Sequence, residues 1–107
     1  MAMFDQLDKL AQEISAKSKA SPETSYTAKL ISQGVSKCAK KFGEEAVELA
    51  LASVGGNRLE ITAEAADVLY HFIVLLQASS VSPDEVMQEL KRRESVGGLV
   101  EKAARKP

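Results

Sequence analysis

Apolar residues recur along this chain at the three-to-four spacing of helices, and no segment alternates as a strand does. Phe4, Leu7, Leu10, Ala11 and Ile14 form one stripe, which predicts a helix over residues 3–18, broken at Ser21-Pro22. Ser25 is placed to cap a short second helix, 26–33, which Gly34 closes. A third helix is expected over 35–54, ended by the Gly55-Gly56-Asn57 turn, and a fourth over 58–78. Gly43 inside the third implies close approach by a neighbouring helix or a ligand. From Ala65 to Leu76 the fourth is apolar on nearly every face except at Asp67 and His71, the pattern of a helix at a bundle centre or a dimer interface. Ser82, Pro83 and Glu85 form a capping box that starts a fifth helix, running to about residue 93. The tail, 94–107, carries Gly97-Gly98 and is expected to be partly ordered. The expectation is an all-α fold: one domain, 1–107, built as a bundle of four to five helices whose core is completed by dimerisation.

Composition narrows the function classes. A chain of 107 residues, 45% hydrophobic and 27% charged, is globular and leaves some apolar area to be buried against a second copy. A net charge of −1 gives no global field for nucleic acid or an anionic membrane. No signal peptide is evident, and the longest apolar stretch, interrupted by His71, is far short of the roughly 20 residues of a membrane span. A cytoplasmic protein is expected. The one cysteine, Cys38, excludes an intrachain disulfide and reads as a small core side chain.

The charges are unevenly distributed, and their placement carries the chemistry. Glu45 and Glu48 stand three residues apart and Glu44 and Glu48 four apart, so each pair shares a helical face. On the next helix Glu64 and Asp67 are again three apart. Folding the two helices back at the Gly-Gly-Asn turn sets Glu48 opposite Glu64, and Glu45 opposite Asp67. Carboxylates facing one another repel unless a proton or cation intervenes. An all-oxygen cluster favours Mg²⁺, Mn²⁺ or Ca²⁺ over zinc, and Mg²⁺ in such sites commonly accepts substrate phosphates. Asp67, set in the most apolar helix, is expected to be buried and so to need a partner.

Basic residues flank the acids. Lys37, Lys40 and Lys41 precede Glu44 by one to two turns and can hold the phosphates that the metal also grips. Simple Lys–Glu pairing along the helix is the competing interpretation. Lys29 and Ser32, just before Gly34, are within reach of the same pocket. Arg92 and Arg93 suit the end of the fifth helix by their charge, and Arg92 is also a candidate phosphate contact. His71, four residues after Asp67, could bond that acid or a substrate group, although a lone histidine in an apolar helix is more often a core residue. Tyr70 reads as packing.

The pattern Glu44-Glu45-x-x-Glu48 followed by Glu64-x-x-Asp67 resembles the signature of the all-α nucleotide pyrophosphohydrolase superfamily, which includes MazG-type enzymes and dimeric dUTPases. Within it the chain looks like the phosphoribosyl-ATP pyrophosphatases of histidine biosynthesis. That closer likeness rests on Ser25 to Leu30, on Gly34 to Glu45, on Ala65 to His71, and on Arg92-Arg93 with Gly98 to Ala103. The resemblance implies hydrolysis of 1-(5-phospho-β-D-ribosyl)-ATP to the AMP derivative and pyrophosphate. It implies a Mg²⁺ cofactor, with Mn²⁺ as a substitute, and a MazG-like homodimer with a shared core. The acids Glu44, Glu45, Glu48, Glu64 and Asp67 take the metal role of the family. Glu45, Glu48, Glu64 and Asp67 are the firmer ligands, and Glu44 or Glu45 is the candidate base. Lys37, Lys40, Lys41, His71 and Arg92 are the candidate substrate contacts. At this length the monofunctional form, without the cyclohydrolase domain to which some members are fused, is expected. Two other readings are a house-cleaning MazG-type enzyme acting on nucleoside triphosphates and a non-catalytic helical or metal-binding module.

Overall fold

A computed structural model describes residues 4–94 and 97–105. The described residues form six helices and no strand. In order they are α1 (Asp5–Lys17), α2 (Tyr26–Ser32), α3 (Val35–Gly55), α4 (Arg58–Ala78), α5 (Pro83–Glu94) and α6 (Gly98–Ala104). The first five fall where the apolar spacing predicts them. Residue 3, at the expected start of the first, lies outside the described residues, as do 95–96 and 106–107 within the tail. The expected four to five helices fall one to two short of the six described. Gly97-Gly98 breaks the chain only locally, and Leu99 to Ala104 then resumes a helix-favouring composition.

Capping decides the boundaries. The Ser25 hydroxyl accepts from the Ala28 amide at 3.1 Å, and the Asn57 side chain accepts from the Glu60 amide at 3.0 Å. Before α5 the box is complete: Glu85 N–H donates to the Ser82 hydroxyl at 3.2 Å, and Ser82 N–H donates to the Glu85 carboxylate at 2.7 Å. Three described residues take a positive φ: Gly34 at +95° between α2 and α3, Gly56 at +80° after α3, where glycine removes the steric cost, and Ser80 at +59° after α4. Gly43, by contrast, is exposed, and a methyl group there would meet open space, so no close neighbour within the chain explains it.

α3 and α4 form an antiparallel hairpin about the Gly56-Asn57 turn, and α1 and α2 pack against α4. The core is small: Ile14, Leu30, Cys38, Ile73 and Val74, with Leu7, Leu10 and Phe72 among the half-buried residues around it. Cys38 is sealed inside, its thiol donating to the Leu30 carbonyl at 3.3 Å and pushed up by burial, as a structural cysteine should be. Buried Thr27 bonds the Tyr70 hydroxyl, tying α2 to α4. The hairpin keeps a large apolar surface open. Val47, Leu51 and Val54 on α3 are 59%, 67% and 88% exposed, and Leu59 and Leu69 on α4 are 83% and 45% exposed.

Candidate metal and phosphate site

The hairpin brings three of the predicted acids together. Glu45, Glu48 and Glu64 each offer a carboxylate oxygen, and these atoms lie within 4.8 Å of one another. The register comes from the turn, which sets α3 and α4 antiparallel with the acids at the same level. One oxygen of Glu45 and one of Glu64 are out of reach of solvent and receive no hydrogen bond from any described residue. Such an oxygen needs a proton or a cation. In the metal-free protein a proton serves. Sharing it with Glu48, together with burial and the charges of Glu48 and Asp67, pushes Glu45 up to about 7. Burial, then the charges of Glu48 and Asp67, also raises Glu64. A hard divalent cation would meet the same need, and the donor set, all carboxylate oxygen, fits one.

The other predicted residues divide. Asp67 is exposed, contrary to the burial expected from its apolar neighbours. One chain covers only part of α4, and its charge still reaches both Glu45 and Glu64. Glu44 lies outside the triad and faces Lys41 at 3.7 Å. His71 is 6% exposed, and its Nδ1 has no partner among the described residues. Burial and then the Lys41 charge hold it below the usual histidine range, so it is neutral at pH 7. Its ring lies edge-on to Tyr70, with centroids 5.0 Å apart. Arg92 forks onto Glu89 at 2.7 and 3.0 Å, and Arg93 joins the same carboxylate at 3.0 Å. Those two guanidinium groups hold Glu89 down to about 2.

Lys37 and Lys41 line one hollow with Tyr26, Lys29, Leu30 and Gln33, and Lys40 stands outside that lining. Ser32 instead donates to the Lys29 carbonyl at 2.7 Å. Tyr26 and Gln33 had not been singled out from the sequence. The signal was available: positions 26, 29, 33, 37 and 41 keep helical spacing straight through Gly34. Glu60 was missed as well. It lines a second hollow with Glu48, Leu51, Ala52 and Glu64, and its charge adds to the rise of Glu64.

Residues 7–94 match the family model described as phosphoribosyl-ATP pyrophosphohydrolase. The chain belongs to the phosphoribosyl-ATP pyrophosphohydrolase family. A phosphoribosyl-ATP pyrophosphatase of Cereibacter sphaeroides is 52% identical over 92% of this chain and 96% of its own length. One from Rhodobacter capsulatus is 54% identical over 92% and 96%, and one from Methylobacterium nodulans 55% identical over 87% of each. The phosphoribosyl-ATP pyrophosphohydrolase match runs from Leu7 within α1 to the end of α5 and takes in every candidate site residue, and α6 lies beyond it. No helix among the described residues is long and apolar enough to cross a membrane.

The strained triad predicts a pH signature for this family member without metal. Glu45 keeps a proton in the folded state that it loses earlier when unfolded, so folding stability falls as pH rises from about 4.5 to about 7. His71, shifted down, acts in the opposite sense below 6.5. The carboxylate contribution is therefore the difference between wild type and Glu45→Gln in EDTA. Across the window wild type is expected to lose about 1 kcal/mol relative to Glu45→Gln after allowance for solvent screening, or about 5 °C in Tm. Parallel Tm–pH curves for the two proteins would refute it.

Proposed function

We propose that this protein hydrolyses 1-(5-phospho-β-D-ribosyl)-ATP to 1-(5-phospho-β-D-ribosyl)-AMP and pyrophosphate, the second step of L-histidine biosynthesis. The observation that carries the reading is the Glu45–Glu48–Glu64 triad, with two unsatisfied oxygens beside a lysine-lined hollow, in a chain whose relatives are named for this reaction. Mg²⁺, with Mn²⁺ as a substitute, is the proposed cofactor, held by Glu45, Glu48 and Glu64 with Asp67 alongside. When bound, the cation supplies positive charge to the triphosphate oxygens and to the leaving pyrophosphate.

The chain's own groups do the rest. Water attacks the α-phosphorus as the bond to the bridging oxygen of the departing pyrophosphate breaks. Glu45 takes the water's proton. Glu44 steadies Lys41, whose ammonium group faces the triphosphate, and Lys37 stands farther along the same helix, toward the other end of the substrate. Lys40 is a peripheral contact. Neutral His71 backs the site from the core. Arg92 reaches a phosphate only by leaving Glu89. The working unit is a homodimer, joined through the open apolar face of the hairpin, and it is cytoplasmic, as a biosynthetic enzyme requires.

The test is pyrophosphate release from phosphoribosyl-ATP, ATP, dUTP and other triphosphates in Mg²⁺. Release from phosphoribosyl-ATP with little from the others is expected. Preference for free nucleoside triphosphates would instead select a house-cleaning enzyme.

A further inference from the structure

We infer that the hollow bounded by Tyr26, Lys29, Gln33, Lys37 and Lys41 is a phosphomonoester subsite that takes the ribosyl 5′-phosphate of the substrate, apart from the triphosphate at the metal. The inference rests on the reaction proposed above and adds the group that separates phosphoribosyl-ATP from ATP.

Size is the first argument. The hollow measures about 270 Å³, just below the ~300–1,000 Å³ of sites that enclose a whole small molecule, so it suits one end of a substrate. Charge is the second. Lys29 and Lys37 have no carboxylate within ion-pair distance among the described residues, and Lys41 faces Glu44 at 3.7 Å. With Lys41 balanced by Glu44, Lys29 and Lys37 leave an excess of two positive charges. A phosphomonoester carries about −1.5 to −2 at neutral pH. The triphosphate, by contrast, shares its charge with the cation at the triad.

Placement is the third. Lys37 precedes Glu45 by eight residues on the same helix, about 12 Å along its axis, and Lys41 stands between them. Lys41 therefore serves the metal side of the substrate, and Lys29 and Lys37 face a group farther along it. The walls are held in place. Tyr26 stacks on Tyr70 at 6.4 Å with the rings 16° from parallel, Tyr70 is bonded to Thr27, and the Ser25 cap fixes the start of α2. Gln33 adds an amide donor at the rim, and the Tyr26 face can lie against the ribose.

Two measurements test this. In EDTA, ribose 5-phosphate titrated into the intact protein and followed by NMR shifts is expected to bind at millimolar concentration and to perturb α2 and the start of α3. Lys29→Gln and Lys37→Gln should each weaken that binding about tenfold, as loss of a charge-assisted hydrogen bond does. In turnover with Mg²⁺, the same variants should raise KM for phosphoribosyl-ATP about tenfold with kcat changed far less. Absence of ribose 5-phosphate binding, or binding that neither variant weakens, overturns the subsite. A fall in kcat at unchanged KM also overturns it, because it moves the lysines to the phosphates being cleaved. The titration needs neither metal nor turnover, so a wild type that cannot hydrolyse phosphoribosyl-ATP would sink the proposed reaction and leave the binding result standing.

Discussion

Glu48→Gln and Glu64→Gln are each expected to cut turnover by roughly a thousandfold, because each removes a ligand charge from the triad that concentrates positive charge on the phosphates. The same substitutions should raise Tm in EDTA. Glu45, Glu48 and Glu64 crowd within 4.8 Å, and replacing one carboxylate by an amide relieves repulsion and supplies a donor to an oxygen that lacks one. Mg²⁺ should raise the Tm of the wild type, since it binds the folded site alone, and should do far less for either variant. Lower activity together with higher metal-free stability is the mark of a functional cluster rather than a structural one. Asp67→Asn, outside the triad and exposed, should cost less. Wild-type turnover by Glu48→Gln at saturating Mg²⁺ would end the metal assignment.

The second large effect concerns the open face of the hairpin. Val47→Lys combined with Val54→Lys is expected to convert the protein to monomers in sedimentation and to abolish most activity. Val47, Leu51 and Val54 follow one stripe of α3, all more than half exposed, and burying such a side chain against a partner is worth about 1.5–3 kcal/mol. Together with Leu59 and Leu69 the stripe makes an apolar surface of the kind that marks an association site. Leu51 is left unchanged because it lines the hollow beside Glu48 and Glu64, where a new charge would act on the acids directly. A double variant that sediments as the wild type does would remove this surface as the dimer contact.

Much of this was legible in the sequence because helices announce themselves locally. Ser25, Asn57 and the Ser82–Glu85 box set the starts, Gly34 and Gly56 the stops, and the turn between α3 and α4 sets the register that brings Glu48 to Glu64. Burial was less legible. Asp67 sits among apolar residues, yet one chain leaves its side of α4 uncovered, and hydropathy along a strand of text does not distinguish a core from a face awaiting a partner. Arg92 shows another limit: its pairing with Glu89, three residues back, satisfied a charge that sequence alone left open for substrate. The lysine hollow was half seen, because Gly34 divides α2 from α3 and hides a stripe that continues across it.

The short turn at Gly56-Asn57 also bears on the order in which the protein folds. Glu48 and Glu64 are separated by sixteen residues, nearly all of them helical, so joining them closes a small loop at little entropic cost. Contacts this local form early, whereas seating α1 against α4 must close most of the chain. The acids are thus gathered by the segment best placed to fold first, and a cation captured there would hold the nascent hairpin shut while α1 and α2 are still finding their places.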